Sequence, residues 1–122
     1  MKTGWLINPT DKTITPASYE TWREIAPLIS CQHFDVARTS IGDIYVDDEG
    51  MTNADKYFQI DNRTLAGNGL LMGGCDIDGE TLSSTKTLAE IKKAIRFGEV
   101  IKINDKLGFL ACLPKFGLYP LD

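Results

Sequence analysis

Residues 41–60 read IGDIYVDDEGMTNADKYFQI and contain the clearest strand signals of the chain. Ile41–Val46 is rich in the β-branched and aromatic residues that favour a strand. Asp47–Gly50 then predicts a turn, because acidic residues followed by glycine are common in turns and Gly50 is free to adopt a positive φ. Tyr57–Ile60 is again apolar and aromatic, so we expect it to be the partner strand of Ile41–Val46.

Further strand signals lie on both sides of this stretch. Each is a short apolar or β-branched run bounded by proline, glycine, asparagine or aspartate. Val100–Ile103 and Gly108–Cys112, the two runs nearest the C-terminus, are predicted to form a hairpin whose turn carries Asn104 and Asp105. The predicted strands are Trp5–Asn8, Lys12–Thr15, Phe34–Val36, Leu70–Met72, Val100–Ile103 and Gly108–Cys112.

Two segments predict helices. Thr15 is a candidate N-cap, and Pro16 suits the first helical position, where a missing N–H costs no hydrogen bond. Pro27 is expected to end or kink this helix. The second helix has capping-box spacing between Thr87 and Glu90 and a stop signal at Gly98. Apolar residues recur at helical spacing in both segments: Tyr19, Trp22, Ile25, Ala26 and Ile29 in the first, and Leu88, Ile91, Ala94, Ile95 and Phe97 in the second.

We predict an α+β fold in which six or seven of these eight runs form short, mostly antiparallel strands packed with two helices. The chain has 122 residues, the usual size of one domain, so we expect a single domain over residues 1–122. No run approaches the roughly 20 apolar residues that span a bilayer, and the first residues lack a secretory signal. We therefore expect a cytosolic protein.

Charge is segregated along the chain. Nine of the seventeen acidic residues fall within residues 43–80, where Lys56 and Arg63 are the only basic residues. Residues 81–122 instead carry seven basic residues against four acidic ones. Such segregation predicts a surface that attracts basic partners, and the sequence pI near 4.9 is unlike that of a DNA- or RNA-binding protein. Lys92 and Lys93 are candidates for pairing with the acidic window of a second copy.

The acidic residues do not match a metal or catalytic motif. In the calcium-loop pattern, counting back from Gly79 puts Gly74 at the position of the first aspartate, and counting back from Gly50 puts Tyr45 there. Acids on exposed turns stay ionised near neutral pH and therefore offer no proton to a reaction. We expect no metal, no cofactor and no enzymatic activity.

Two other patterns invite a chemical interpretation. The glycine-rich stretch Gly67–Gly74 is followed by an acidic turn, whereas a phosphate-binding loop leads into a helix. Cys31 and His33 would share one face of a strand, but no further ligand or catalytic partner lies near them in sequence. The three cysteines, Cys31, Cys75 and Cys112, are widely spaced and odd in number, which favours buried, reduced thiols over a disulfide framework.

Residues 44–82 resemble a small domain of unknown function that is common in bacteriophage and mobile-element genomes. The resemblance lies in the V-D-D-E-G turn at residues 46–50 and the L-A-G-N-G element at residues 65–69, which leads through an apolar strand to a second acidic turn. It covers about a third of the chain. The resemblance implies a phage or prophage origin and transfers no catalytic residue.

Three functional hypotheses follow. In the first, the chain is a non-enzymatic, phage-encoded accessory protein in the host bacterial cytosol that binds a basic host protein, such as a defence or nucleic-acid-handling protein. The second is binding or hydrolysis of a small ligand or nucleotide near Gly67–Gly74, with His33 or Cys31 taking part. The third is a structural virion or scaffold component. For the first hypothesis, the predicted partner-binding residues on a single acidic side are Asp47, Asp48, Glu49, Asp76 and Asp78.

Overall fold

The structure, a computed structural model, describes residues 1–49, 56–103, 106–111 and 118–120, with side chains described for residues 1–49 and 56–98. The fold is α+β, with two short helices and two antiparallel sheets. The helices are α1 (Ile25–Leu28), preceded by a 3-10 turn at Trp22–Glu24, and α2 (Leu88–Ala94). The strands are β1 (Lys2–Asn8), β2 (Thr13–Tyr19), β3 (Phe34–Thr39), β4 (Gly42–Asp47), β5 (Tyr57–Ile60), β6 (Arg63–Ala66), β7 (Gly69–Met72), β8 (Arg96–Ile103), β9 (Lys106–Ala111) and β10 (Leu118–Pro120).

The first sheet has the strand order β2-β1-β7-β4-β3. Its central strand is β7, in which Leu70, Leu71 and Met72 are fully buried. Because side chains alternate between the two faces of a strand, Leu71 enters one apolar cluster while Leu70 and Met72 enter another. The run that looks uniformly apolar in sequence is therefore a strand covered on both faces.

The second sheet has the order β10-β9-β8-β5-β6. β5 and β6 are joined by the two-residue loop Asp61-Asn62, whose φ angles of 52° and 61° suit the tight turn of a two-residue hairpin. β8 pairs with β9 as the predicted C-terminal hairpin. The prediction that the cysteines are buried is wrong for Cys75, which is exposed in the turn after β7, and Cys31 is only partly buried. The expected turn at Asn104–Asp105, the expected burial of Cys112 and the expected φ of Gly50 lie outside the described residues.

The predicted pairing of Ile41–Val46 with Tyr57–Ile60 is wrong. β4 is bonded on one side to β3 and on the other to β7, so no free edge remains for β5. β5 instead lies in the second sheet between β6 and β8. The expected strand count is also too low: up to residue 103 there are eight strands, five in the first sheet and three in the second, and β9 and β10 extend the latter.

The main core lies between the two sheets and α2. It is built around Ile7, Ile44, Phe58, Leu71 and Ile91, each fully buried. Burying an aliphatic or aromatic side chain of this size stabilises a fold by about 1.5–3 kcal/mol, so this cluster is the largest source of stability in the described part of the chain. A second cluster covers the opposite face of the first sheet and is closed by Ile25 of α1 and by Ile29, which follows the helix directly.

The first helix is much shorter than its apolar spacing predicts. Thr13–Tyr19 is the edge strand β2, and Pro16 lies opposite Trp5 in it, which an edge strand tolerates because one of its sides needs no N–H donor. The helical segment begins only after Thr21, where Glu24 Oε2 accepts the backbone N–H of Thr21 at 2.7 Å. Hydrogen bonds from the backbone N–H groups of Thr21 and Glu20 lower the pKa of Glu24.

The second helix starts as predicted and ends early. Thr87 Oγ1 accepts the backbone N–H of Glu90 at 3.2 Å, which confirms the N-cap. The helix ends at Ala94 rather than Gly98, because Ile95 is extended (φ −108°, ψ 136°) and β8 begins at Arg96. Ile95 and Phe97, two residues apart, both enter the core, and that spacing belongs to a strand. Neither described helix is long and apolar enough to span a membrane.

Candidate partner-binding surface at the acidic turn

The first acidic turn follows directly from β4. Asp47 is the last residue of that strand and pairs with Phe34 of β3. The next residue, Asp48, donates its backbone N–H to the carbonyl of His33 at 3.1 Å. Asp47 Oδ1 accepts the backbone N–H of Glu49 at 2.9 Å. The sheet therefore fixes the start of the turn, and Asp47 shapes it, while Asp48 and Glu49 are exposed.

The segment opposite this turn comes from the end of α1. Ser30 has a φ of 60°, and the N–H of Cys31 bonds the carbonyl of Ala26 at 3.0 Å while the N–H of Ser30 bonds that of Pro27 at 3.2 Å. These two bonds form a Schellman motif with serine at the left-handed position usually held by glycine. The motif turns the chain out of α1 and directs Cys31–His33 towards β3.

Together the two segments line an open pocket of about 490 Å³. Three carboxylates form one wall, and a thiol, an amide and an imidazole form the other. Cys31 and His33, which are distant from the acidic turn in sequence, are thus next to it in space. The lining residues are Ser30, Cys31, Gln32, His33, Asp47, Asp48 and Glu49.

The negative charges that line this pocket affect the pKa of the Cys31 thiol. Burial raises its pKa, and the negative charges of Asp47 and Asp48 raise it further, because a thiolate is disfavoured beside other anions. A nucleophilic cysteine needs the opposite environment, one that stabilises the thiolate. The pocket therefore favours positive groups and disfavours thiolate chemistry at Cys31.

A second concavity lies on the other side of the acidic turn. This groove of about 200 Å³ runs between the edge of β3 and the edge of β6. Asp47 and Asp48 line both the pocket and the groove. The turn is thus a negatively charged ridge between two recesses.

The two acidic turns do not form one surface. β4 and β7 are antiparallel, with Asp43 opposite Met72 and Val46 opposite Gly69. Asp47 therefore leaves the sheet where β7 begins, whereas the turn at 76–80 follows the other end of β7, about 10 Å further along for three strand residues. The expected clustering of both turns on one side is wrong, because antiparallel neighbours send the loops that follow them to opposite ends.

The second turn is held by its own side chains. Asp76 Oδ1 accepts the backbone N–H groups of Asp78 and Glu80, both at 2.9 Å, so this carboxylate organises the loop. Glu80 pairs with Lys2 at 3.5 Å, and Lys2 also donates to the carbonyl of Thr81. Both predicted contact residues here, Asp76 and Asp78, are exposed, and Ile77 between them is 99% exposed.

The glycine-rich stretch has a packing role. Gly69 in β7 lies under the ring of Phe58, and a Cβ at this position would be 2.8 Å from both Phe58 Cζ and Ile44 Cγ2. The two sheets approach closely here, and the site is filled by protein. Among residues with described side chains, no group of three or more His, Cys, Asp or Glu is arranged to hold a metal ion.

Four residues of the two recesses carried no signal in the sequence. Ser30 and Gln32 complete the pocket, and Asp35 and Arg63 line the groove. They come from segments whose positions depend on the end of α1 and on the packing of the two sheets, neither of which local patterns reveal. No protein-family model, curated protein or solved structure matches this chain.

Proposed function

We propose that this chain is a non-enzymatic binding protein that contacts a basic surface of a partner protein through Asp47, Asp48 and Glu49. The observation that carries the proposal is the position of this turn as an acidic ridge between two recesses. A ridge with a recess on each side can enter a groove on a partner while basic side chains of the partner enter the recesses.

The physical support is electrostatic. Charges at an interface steer the encounter and select partners of opposite sign, and their effect falls with ionic strength. Burial is the main reason that the pKa of Cys31 is raised, and Asp47 and Asp48 raise it further because they disfavour another negative charge beside them. The partner side chains that suit this ridge are lysine and arginine.

The V-D-D-E-G turn at 46–50 resembles that of phage and mobile-element domains, and we therefore propose a phage or prophage origin for the protein. The protein would then act in the host cytosol on a host protein. Host proteins that handle nucleic acid carry basic grooves, which makes them suitable targets for an acidic ridge.

The test is quantitative capture from bacterial lysate with three immobilised baits: the wild type, Asp48→Lys/Glu49→Lys, and Asp78→Lys/Glu80→Lys. Asp47 and Asp76 are left intact because each shapes its turn. The first variant should lose about tenfold of any captured partner, since two surface ion pairs of up to about 1 kcal/mol each are replaced by repulsion.

The second variant is the matched control, because it changes the net charge by the same amount at the other end of the first sheet. It should capture the partner as the wild type does. The thermal midpoint of the first variant should stay close to that of the wild type, since exposed substitutions usually change stability by less than about 0.5 kcal/mol. The second variant should lose no more than about 1 kcal/mol, because Glu80→Lys also removes the exposed ion pair with Lys2. Equal capture by all three baits would contradict the proposal, and capture of nothing by any bait would favour a scaffold role with solubilising turns.

A second candidate function is small-ligand binding in the pocket lined by Cys31 and His33. Its volume of about 490 Å³ is in the usual range for ligand sites. A ligand that binds only the folded state raises the melting temperature by mass action. A rise with a nucleotide or divalent cation that is lost in His33→Ala would favour this function over partner binding.

A further inference from the structure

The outer side of α2 carries two positive charges. Ile91 is buried in the core, whereas Lys92 and Lys93 are exposed, and these two lysines form the basic face of α2. Lys86 and Glu90 pair with each other at 3.8 Å, so their charges offset. Within the described part of the chain, neither Lys92 nor Lys93 has an ion-pair or hydrogen-bond partner for its ammonium group. The basic face is therefore available to an acidic surface outside the molecule.

The acidic ridge carries the complementary pair of charges. Asp48 and Glu49 are adjacent and exposed, and no described basic side chain pairs with either carboxylate. The second acidic turn is different, because its Glu80 is paired with Lys2 at 3.5 Å and its Asp76 carboxylate bonds the loop itself. The ridge is therefore the acidic turn that matches two adjacent lysines.

The basic face of α2 and the acidic ridge lie towards opposite ends of β4. The ridge begins at the last residue of this strand. At the other end, Asp61 of the β5–β6 loop accepts the backbone N–H and the hydroxyl of Ser40, both at 2.6 Å, in the turn that precedes β4. Arg96, two residues after α2, lies opposite Gln59, which is two residues before Asp61. α2 therefore ends near the start of β4, about 17 Å from the ridge for five residue steps along the strand.

We propose that the basic face of α2 binds the acidic ridge of a second copy of this chain, with Lys92 and Lys93 opposite Asp48 and Glu49. Opposite charges across an interface steer association and select which surfaces meet. Because the two surfaces lie towards opposite ends, two antiparallel copies can form both contacts at once around a two-fold axis. Self-association covers the ridge and so competes with the partner, which adds regulation to the proposed function on which this inference rests.

The first measurement is sedimentation velocity of the full chain over a wide range of protein concentration at low and at high salt. The wild type should associate reversibly, and high salt should weaken the association because exposed charges are screened. Lys92→Glu/Lys93→Glu should raise the dissociation constant at least about tenfold, since two attractive pairs become repulsive.

An exchange of charges makes the test specific to these two surfaces. Lys92→Glu/Lys93→Glu is acidic at both surfaces and Asp48→Lys/Glu49→Lys is basic at both, so each variant alone should stay monomeric where the wild type associates. Their equimolar mixture has opposite charges at both contacts and should associate as the wild type does. A variant that had merely failed to fold would not be rescued by mixing.

Asp78→Lys/Glu80→Lys is the matched control, and it should associate as the wild type does. A wild type that stays monomeric at every concentration, or a mixture of the two charge-reversed variants that does so, overturns self-association. If Asp48→Lys/Glu49→Lys nevertheless loses capture of the lysate partner, the ridge stands as the partner-binding surface and only this inference is wrong. Association that is restored by mixing, together with equal capture by that variant and the wild type, would mean that the ridge binds a second copy and that the proposed function is wrong.

Discussion

Cys31 is the residue that reports most directly on the charge of the acidic ridge. Its thiol is partly buried, and the carboxylates of Asp47 and Asp48 lie close enough to raise its pKa beyond the effect of burial. The thiol therefore remains protonated to higher pH than an ordinary cysteine. The charge that we propose to recognise a partner thus has a chemical consequence within the protein itself.

Neutralising Asp48 should lower the pKa of Cys31. With one negative charge removed, more thiolate is present at a given pH, so Asp48→Asn should be alkylated by iodoacetamide faster than the wild type near pH 8. The rate is measured against pH in a background in which Cys75 and Cys112 are replaced by serine. Asp78→Asn, at the other end of the first sheet, should leave the rate unchanged. Identical rates in all three proteins would show that the ridge does not reach the thiol electrostatically.

Local sequence patterns predicted individual strands and a helix cap correctly, but not which strands pair. The run Ile41–Val46 is a strand as predicted, and Thr87 caps a helix as predicted, because propensity and capping act over a few residues. The partner of Ile41–Val46 was predicted wrongly, since pairing depends on which edges remain free after β3 and β7 have bonded. Pro16 shows the same limit: its fixed φ suits the first turn of a helix and an edge strand alike, and only the bonds to β1 distinguish them.

The candidate site divides in the same way. Local turn chemistry predicted the acidic turns correctly as turns. Their separation follows from the antiparallel register of β4 and β7, and the meeting of Asp47 with Cys31 and His33 follows from the Schellman motif after α1. The left-handed position of that motif is occupied by Ser30 instead of the usual glycine, so the sequence does not indicate the motif.

At the level of elements, the contact between the sheets is most sensitive at Gly69. Gly69→Ala would place a methyl group 2.8 Å from the Phe58 ring and from the Ile44 side chain. Neither neighbour can move freely in a packed core, so we expect a loss of about 1–3 kcal/mol in the free energy of unfolding, measured by urea denaturation. In a Phe58→Leu background, which removes the ring, the same substitution should cost less. Equal costs in both backgrounds would mean that the ring is not the obstacle.

At the scale of the whole molecule, acidic residues that are close together in sequence lie on two separate turns of the structure. The acidic window of residues 43–80 supplies one turn at each end of the first sheet. The turn at Asp47–Glu49 borders two recesses, whereas the turn at 76–80 is organised by Asp76 and tied to Lys2. A partner attracted by the overall negative charge would therefore meet two chemically different acidic surfaces.

The most direct test of the acidic ridge as the contact surface is an amide chemical-shift map of the ¹⁵N-labelled wild type during titration with a hexapeptide that is blocked at both ends and alternates lysine and threonine. We expect the largest shifts at Asp48 and Glu49 and at Cys31–His33 across the pocket. Amides of the turn at 76–80, which carries comparable charge, should not move. Shifts of equal size at both turns, or shifts confined to the turn at 76–80, would contradict a specific role for Asp47, Asp48 and Glu49.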